Sequence, residues 1–184
     1  MILPIEIYGS SVLRKKSEDI TKDYPDLNKF IDDMYETMYH CDGLGLAASQ
    51  VGKNVRIITV DLSPAAEDEN QLKDYKKVFI NPVIADLRGE PFLFSEGCLS
   101  IPGIREDVLR PEEIDIEYLN ENFETVKETL KGLPARVLQH EYDHLEGILF
   151  VDRLAILKKK LINRKLQAIA RGKVSAGYKT KLSR

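Results

Sequence analysis

Apolar residues at helical spacing predict the first long helix of the chain. After Pro25 they recur at intervals of three or four residues: Leu27, Phe30, Ile31, Met34 and Met38. This spacing places them on one face of an amphipathic helix. Pro25 stands at the entry and Gly43 just beyond the end, as helix boundaries prefer. We therefore expect a helix over residues 26–41.

Shorter apolar stretches predict several strands. They are rich in Ile and Val or alternate apolar with polar residues, and they cover residues 56–62, 77–84, 91–95 and 114–118. Asn120 opens a turn, after which residues 123–127 are expected to return as a partner strand. Residues 63–77 are polar and predict a surface excursion between two strands.

Two further helices are expected towards the C-terminus. The first opens at Gly132, carries Pro134 in its first turn, where proline is tolerated, and ends at Gly147. The second covers residues 153–170 and has four apolar residues along one edge: Leu154, Leu157, Leu161 and Ala168. The pattern predicts an α+β fold, with small, mostly antiparallel sheets around a central helix and another helix at the C-terminal end.

Helical periodicity ends at Gly172. We expect one domain over residues 1–171 and a basic, flexible tail over residues 172–184. The composition of the 184 residues, 43% apolar and 31% charged, is typical of a globular protein. No apolar run reaches membrane-spanning length, and the first residues lack a signal or transit pattern. Two cysteines do not make a disulfide framework, so a cytoplasmic enzyme is the expectation.

The strongest chemical signal is the run from Gln139 to Leu145, which reads QHEYDHL. His140 and His144 are four residues apart and would share one helix face, so both imidazoles can reach one metal ion. Glu141 lies between them and can act as a base on a water bound to that ion. A surface helix with two unrelated histidines is the alternative.

Two other segments carry weaker signals. Cys98, in the run SEGCLSIPG, could supply a thiolate as a third ligand, or it could be a buried structural thiol. Residues 43–52, GLGLAASQVG, place glycines where the backbone must approach a neighbour closely, although a helix end and a turn would explain them too. Gln50 is a lone amide in this apolar segment and needs a hydrogen-bond partner.

Taken in order, the three segments resemble those of the peptide deformylase family. That family carries G-x-G-x-A-A-x-Q, E-G-C-L-S and Q-H-E-x-D-H-L, and each is present here without a departure and at family-like spacing. The resemblance spans about residues 1–155. It implies one divalent metal ion per chain, held by Cys98, His140 and His144, with a water in the fourth position.

The metal itself is not decided by the ligands, because a mixed sulfur and nitrogen site suits both Zn²⁺ and Fe²⁺. The resemblance implies that Fe²⁺ is often native, with Zn²⁺, Ni²⁺ or Co²⁺ as replacements. The implied reaction removes the formyl group from the N-terminal formylmethionine of newly made polypeptides and releases formate. Metal-bound water or hydroxide would attack the formyl carbonyl, with Glu141 serving as base and then as acid.

The resemblance also implies the remaining site residues. It places the side-chain amide of Gln50 and the backbone N–H of Leu99 at the carbonyl oxygen. An extended substrate peptide would run beside Leu44 and Gly45, where the missing Cβ allows close approach. Leu44 and Val137 are expected to line a pocket for the methionine side chain.

The charge distribution suggests a partner. The net charge of −3 conceals eleven Lys or Arg and no Asp or Glu in residues 153–184, so the first 152 residues carry −14. Such a block can mark an arm that binds nucleic acid. Our hypothesis is that it docks on the ribosome surface near emerging nascent chains, and the alternative is a merely solvated helix and tail.

Two other functions stay open from the residues alone. An HExxH metalloendopeptidase would share the helix and the base but would take a third His or a Glu as ligand, and only His40 remains among the histidines. A non-catalytic metal-binding or polyanion-binding protein would leave Glu141 without a role and place the function in the basic C-terminal residues.

Overall fold

A computed structural model describes residues 1–66 and 72–184 of the chain. Within them the chain forms three α-helices, with α1 at Leu27–His40, α2 at Gly132–Leu145 and α3 at Ile156–Ile169. The strands are β1 (Ile5–Glu6), β2 (Gly45–Ala47), β3 (Ile57–Asp61), β4 (Lys76–Arg88), β5 (Phe92–Cys98), β6 (Ile101–Arg110), β7 (Glu113–Leu119), β8 (Thr125–Lys131) and β9 (Thr180–Lys181). The α+β fold with small, mostly antiparallel sheets is confirmed.

The largest sheet has the strand order β2-β3-β4-β7-β8, and each neighbouring pair is antiparallel. Every residue of β3 is buried, because α1 covers one face of the sheet and α2 the other. Ile58 and Val60 belong to the core on the α2 side, whereas Ile57 belongs to the core on the α1 side. This explains why β3 appears in the sequence as a continuous apolar run.

The other two sheets have two strands each. β5 and β6 form an antiparallel hairpin, and β1 pairs in parallel with β9. The hairpin packs against α3 and the residues before it in a third core cluster. This arrangement brings Cys98, at the end of β5, to the side of α2 that faces away from the large sheet.

Most of the predicted elements are present with shifted ends. α1 and the opening and end of α2 lie where the sequence predicts them. β4 continues past residue 84 to Arg88 through two irregularities in its pairing with β7, the first beside Asn81, which has a positive φ of 49°. The strand β6 was not predicted, because a proline and a glycine near its start resemble a turn. The surface excursion predicted over residues 63–77 lies partly outside the described residues.

The C-terminal helix packs only in part, as its sequence predicts, and it does so through the residues that flank the predicted apolar edge. Leu157 and Leu161 are 70% and 77% exposed, whereas the flanking Ile162, Leu166 and Ile169 are buried against the hairpin. The exposed residues and the buried residues each follow helical spacing, so the sequence pattern does not show which group is buried. The contact with β6 determines it. The helix begins at Ile156 rather than near residue 153, because Phe150–Arg153 form a 3₁₀ turn.

The C-terminal segment also differs from the flexible tail that the sequence suggests. The Ile5 and Ile7 N–H groups donate to the carbonyls of Lys179 and Lys181, each at 2.9 Å. The Ser183 hydroxyl donates to Glu6 at 2.7 Å. The C-terminal tail is therefore bound to β1 through residues 179–183. None of the helices in the described part of the chain is long and apolar enough to cross a membrane.

Candidate active site

The central helix α2 supplies two of the three potential metal ligands. His140 and His144 lie one turn apart on it, and their ring centroids are 5.3 Å apart. Both side chains are largely buried. The carboxylate of Glu96 lies 2.9 Å from His140 Nδ1, which leaves Nε2 of that ring free for an ion.

The hairpin supplies the third ligand. Cys98 Sγ lies 3.2 Å from His144 Nε2, and the potential ligand atoms of Cys98, His140 and His144 all lie within 4.8 Å of one another. The strand pairing shifts register between Gly97 and Cys98, and such a bulge redirects a side chain. His40, the remaining histidine, is exposed at the end of α1 and is not part of this group. One sulfur and two imidazole nitrogens fit a divalent ion such as Zn²⁺ or Fe²⁺.

Five charged residues surround the ligands and form what we call the ion-pair cluster: Glu96, Arg110, Arg136, Asp143 and Arg153. Arg110 donates to Glu96 at 2.7 and 2.9 Å and to Asp143 at 2.7 Å. Arg136 donates to Glu96 at 3.1 Å, and Arg153 donates to Asp143 at 2.6 Å. Glu96, Arg110, Arg136 and Asp143 are buried.

The cluster holds Glu96 in its charged form. Burial alone would raise the pKa of Glu96, but the hydrogen bonds from Arg110 and His140 lower it well below its usual range. A charged carboxylate on the Nδ1 side fixes the orientation of the His140 ring and makes it a better ligand. The cluster therefore connects both strands of the hairpin with α2 through buried ion pairs.

Glu141 is the buried carboxylate on the cleft side of α2. Its Oε2 atom is buried and has no hydrogen-bond partner among the described residues. Burial raises the pKa of Glu141 to about 7. A Cβ placed on Gly45 would lie 2.8 Å from both Cγ and Oε1 of Glu141. The glycine therefore admits the Glu141 side chain, a reason that the sequence analysis did not anticipate.

Gln50 points its donor towards the ligands. Its Oε1 accepts from the Ala47 N–H at 2.8 Å, which fixes the amide so that Nε2 lies 3.5 Å from Cys98 Sγ and 3.4 Å from Ser100 Oγ. Gln50 is buried, so its amide has little freedom to rotate away. A donor held in this way can stabilise negative charge that develops on an oxygen nearby.

A cleft of about 680 Å³ opens beside these groups. Its lining includes all the predicted substrate-side and oxygen-side residues: Leu44, Gly45, Gln50, Leu99, Val137 and Glu141. It also includes Ile101, from the run around Cys98, and residues outside the three segments that the sequence analysis missed: Phe94, Arg105 and the segment 175–178. No spacing in the sequence connects this second group with the cleft, because the fold alone brings it there.

The geometry defines a class of protein before any comparison. Three ligand atoms of the kinds that bind zinc or iron lie at the base of a cleft, beside an unpaired buried carboxylate and a fixed amide donor. Such a set is typical of hydrolases that use one metal ion, in which three protein ligands leave a position for water.

Comparison with known proteins gives the particular family. The family model described as polypeptide deformylase matches residues 2–160. The peptide deformylase of Christiangramia forsetii is 55% identical over 186 residues, covering 97% of this chain and 95% of that protein. The crystal structure of a peptide deformylase from Legionella pneumophila is 35% identical and has a TM-score of 0.80, covering 93% of this chain and 96% of that one. That from Thermotoga maritima is 40% identical with a TM-score of 0.76, covering 84% and 99%.

The chain therefore belongs to the polypeptide deformylase family and is an enzyme, as the three sequence motifs predicted. Members of this family depend on a metal, and the three potential ligands form a site that could hold one.

Proposed function

We propose that this enzyme removes the formyl group from the N-terminal formylmethionine of new polypeptides and releases formate. The observation that carries the proposal is the buried Glu141 carboxylate, whose Oε2 lacks a partner among the described residues next to three potential ligand atoms. An unpaired buried polar atom is costly, and it persists where a reaction needs it.

Cys98, His140 and His144 would hold the metal ion. When bound, it would lower the pKa of a water ligand from 15.7 to about 7 and so supply a nucleophile at neutral pH. We propose Fe²⁺ as the native ion on the strength of the resemblance to the family, because the ligand set by itself suits Zn²⁺ equally well. Metal analysis of anaerobically purified protein tests this choice, and zinc at full occupancy with no iron would contradict it.

Glu141 would move the proton. Its carboxylate would take a proton from the attacking water and return it to the leaving amine, so that one residue acts as base and then as acid. Burial raises the pKa of Glu141 to about 7 in the protein without metal, which supports a role in which the carboxylate takes up and returns a proton near neutral pH.

Gln50 and Leu99 would stabilise the carbonyl oxygen. Gln50 Nε2 is fixed by the bond that its Oε1 accepts from Ala47. The backbone N–H of Leu99 follows the ligand Cys98 directly and both residues line the cleft. Donors held in place before the reaction need no reorganisation when charge develops, which is why they accelerate it.

The cleft would select the substrate. Leu44 and Val137 line it and pack against the same core, so they give it an apolar wall for a methionine side chain. Gly45 and Leu44 would run beside the peptide. The formyl carbon carries only a hydrogen, and a confined site around the ligands would reject larger acyl groups.

The decisive experiment measures formate release from formyl-Met-Ala-Ser by Fe²⁺-loaded protein prepared without oxygen. Glu141→Gln should lower kcat about 10³-fold with the metal still bound, and Cys98→Ser should lose both metal and activity. Glu146→Gln is the matched control, because Glu146 is one turn further along, partly exposed and paired with Arg56 at 2.6 Å. Metal-loaded wild type that releases no formate would refute the proposal.

We further propose that the basic C-terminal residues dock on the ribosome surface. Lys160, Arg164 and Lys165 are exposed on α3, near the exposed Leu157 and Leu161. Docking there would place the cleft where formylated N-termini emerge. It would also place the enzyme in the cytoplasm, the reducing compartment that a thiolate ligand favours.

Ribosome pelleting tests this docking without removing the seated tail. Wild type should pellet at low salt and less at moderate salt, because phosphate contacts weaken as salt rises. The triple substitution of Lys160, Arg164 and Lys165 by Glu should abolish pelleting, and Lys127→Glu, on the distant strand β8, should not. Pelleting that is unchanged both by added salt and by the triple substitution would contradict the proposal.

A further inference from the structure

The C-terminal segment reaches the cleft from outside the part of the chain that the family model matches. The family match ends at residue 160, yet Ser175, Ala176, Gly177 and Tyr178 all line the cleft. These residues share no motif with the metal ligands. The family model therefore says nothing about their position, and the fold alone brings them to the cleft.

The segment is anchored on both sides. Before it, the end of α3 is closed by bonds from the N–H groups of Gly172 and Lys173 to Ile169 and Ala168, at 2.8 and 2.9 Å. After it, β9 pairs in parallel with β1. Residues 175–178 thus span two fixed points, and the span crosses the mouth of the cleft.

Tyr178 makes the direct contact with the machinery. Its hydroxyl donates to the carbonyl oxygen of Leu99 at 2.7 Å, and its ring packs with Leu99 against the core on the α1 side. Leu99 follows Cys98, so the bond restrains the backbone one residue after a metal ligand. The carbonyl and the N–H of Leu99 lie in the two peptide planes that meet at its Cα. The bond from Tyr178 fixes one of these planes, and the packing of the Leu99 side chain against the core restrains the rotation between them.

We infer that residues 175–178 are a wall of the substrate cleft and that Tyr178 is a positioning residue, which holds Leu99 so that its N–H faces the carbonyl oxygen of the substrate. This inference rests on the proposed deformylase function. Tyr178 acts through Leu99 and touches no reacting atom. The wall should affect the residues that follow methionine in the substrate, because they extend from the cleft towards its mouth.

The positioning role is tested with Tyr178→Phe, which removes one hydroxyl and keeps the ring. We expect kcat for formyl-Met-Ala-Ser to fall about fivefold, the scale of one lost hydrogen bond, with KM changed less than twofold. Amide hydrogen exchange should become faster at residues 99–101. Tyr24→Phe is the matched control, because Tyr24 is also partly buried but does not line the cleft.

Unchanged kcat and unchanged exchange in Tyr178→Phe would overturn the positioning role. So would an equal loss in Tyr24→Phe, which would indicate general destabilisation. A wild type without formate release would refute the proposed function instead, and hydrogen exchange would still report whether Tyr178 holds Leu99.

The wall is tested at Gly177. A Cβ added there meets no atom within 4 Å, and the residue is exposed and lines the cleft, so a side chain can be added at this wall without disturbing the fold. Gly177→Leu should raise KM for formyl-Met-Ala-Ser about tenfold and leave KM for formylmethionine unchanged. Lys173→Leu, in the same tail but outside the cleft lining, should change neither. Equal effects on both substrates, or none on either, would overturn this part of the inference.

Discussion

Two sets of buried polar groups meet at helix α2 and differ in one respect. In the first set, Glu141 Oε2 and His144 Nδ1 lack hydrogen-bond partners among the described residues. Towards the ion-pair cluster, the carboxylates of Glu96 and Asp143 each accept from two arginines. Both sets are equally hidden from water, so burial alone does not tell them apart.

The difference shows that buried polar groups around one helix can have separate structural and chemical roles. Paired charges recover through their hydrogen bonds part of what burial costs them, and they connect the surrounding elements. In this set, Arg136 Nε still lacks a partner among the described residues. Unpaired groups retain the capacity to bind an ion or take a proton, and their cost must be offset elsewhere in the fold. His140 belongs to both sets, because it offers Nε2 to an ion and lies against Glu96 through Nδ1.

The largest effect should come from breaking the paired set at its centre. Arg110→Met would leave Glu96 and Asp143 buried with fewer cations, and removing one partner of such a group costs about 3–5 kcal/mol. We expect urea unfolding to show a loss of this size. Arg105→Met, on the same strand but exposed and bonded only to the Ser95 carbonyl, should cost well under 1 kcal/mol. A loss below 1 kcal/mol in Arg110→Met would show that Arg136 and Arg153 are enough to compensate the charges of Glu96 and Asp143.

Removing the charge of Glu141, in the unpaired set, should increase the free energy of unfolding when no metal is bound, whereas Arg110→Met should decrease it. Burial raises the pKa of Glu141 from 4.5 to about 7, so between these values the folded state keeps a proton that the unfolded state has released. The free energy of unfolding therefore falls as pH rises from 4.5 to 7, by about 3 kcal/mol at 1.36 kcal/mol per unit. Metal-free Glu141→Gln should exceed wild type by about this amount at pH 8, and the gain should disappear by pH 4.5.

Chelator-treated proteins unfolded in urea at pH 5 and pH 8 provide the measurement. Glu146→Gln is the control of opposite sign. Burial alone would raise the pKa of Glu146, but Arg56 lowers it, so this substitution should reduce stability at pH 8. Wild type as stable as Glu141→Gln at pH 8 would show that Glu141 is not unpaired in solution.

The third effect concerns Glu96, the member of the paired set that lies against His140. Glu96→Gln keeps the shape of the side chain but removes the charge beside His140 Nδ1, and loss of such a partner typically weakens metal binding 10–100-fold. Competition with a chelator should show this change. Glu106→Gln is the matched control, since Glu106 faces Glu96 across the hairpin but pairs with Lys158 at 3.4 Å. Equal affinity in the two variants would contradict the role of Glu96.

The same contrast shows what the sequence could predict. The spacing of His140, Glu141 and His144 places all three on α2 by local geometry alone, and the motif around Cys98 indicated the third potential ligand. The sequence alone suggests the cluster only in part, as a pairing of Glu96 with Arg110 near Cys98. Nothing local indicates that Asp143 and Arg153 complete it, because the fold brings Arg110 from β6 to Asp143 on α2.

The parts that sequence analysis missed all depend on long-range packing. The buried edge of α3 is chosen by its contact with β6, which was itself unpredicted. The seating of the tail depends on β1, a strand of two residues that carries no recognisable pattern. Tyr178 therefore could not be connected with Leu99 before the fold was known.

The smallest effect should come from an ion pair outside both sets. Lys127 and Glu117 lie 2.8 Å apart on the exposed faces of β8 and β7, with side chains 72% and 48% exposed. Water screens this pair and solvates each partner when the other is removed, so Lys127→Ala should cost less than about 1 kcal/mol and less still at high salt. The 2.8 Å distance lies within the 2.7–2.9 Å range of the bonds from Arg110 to Glu96 and Asp143, so the expected difference comes from burial. A loss in Lys127→Ala as large as that in Arg110→Met, measured by the same urea unfolding, would show that proximity rather than burial sets the effect.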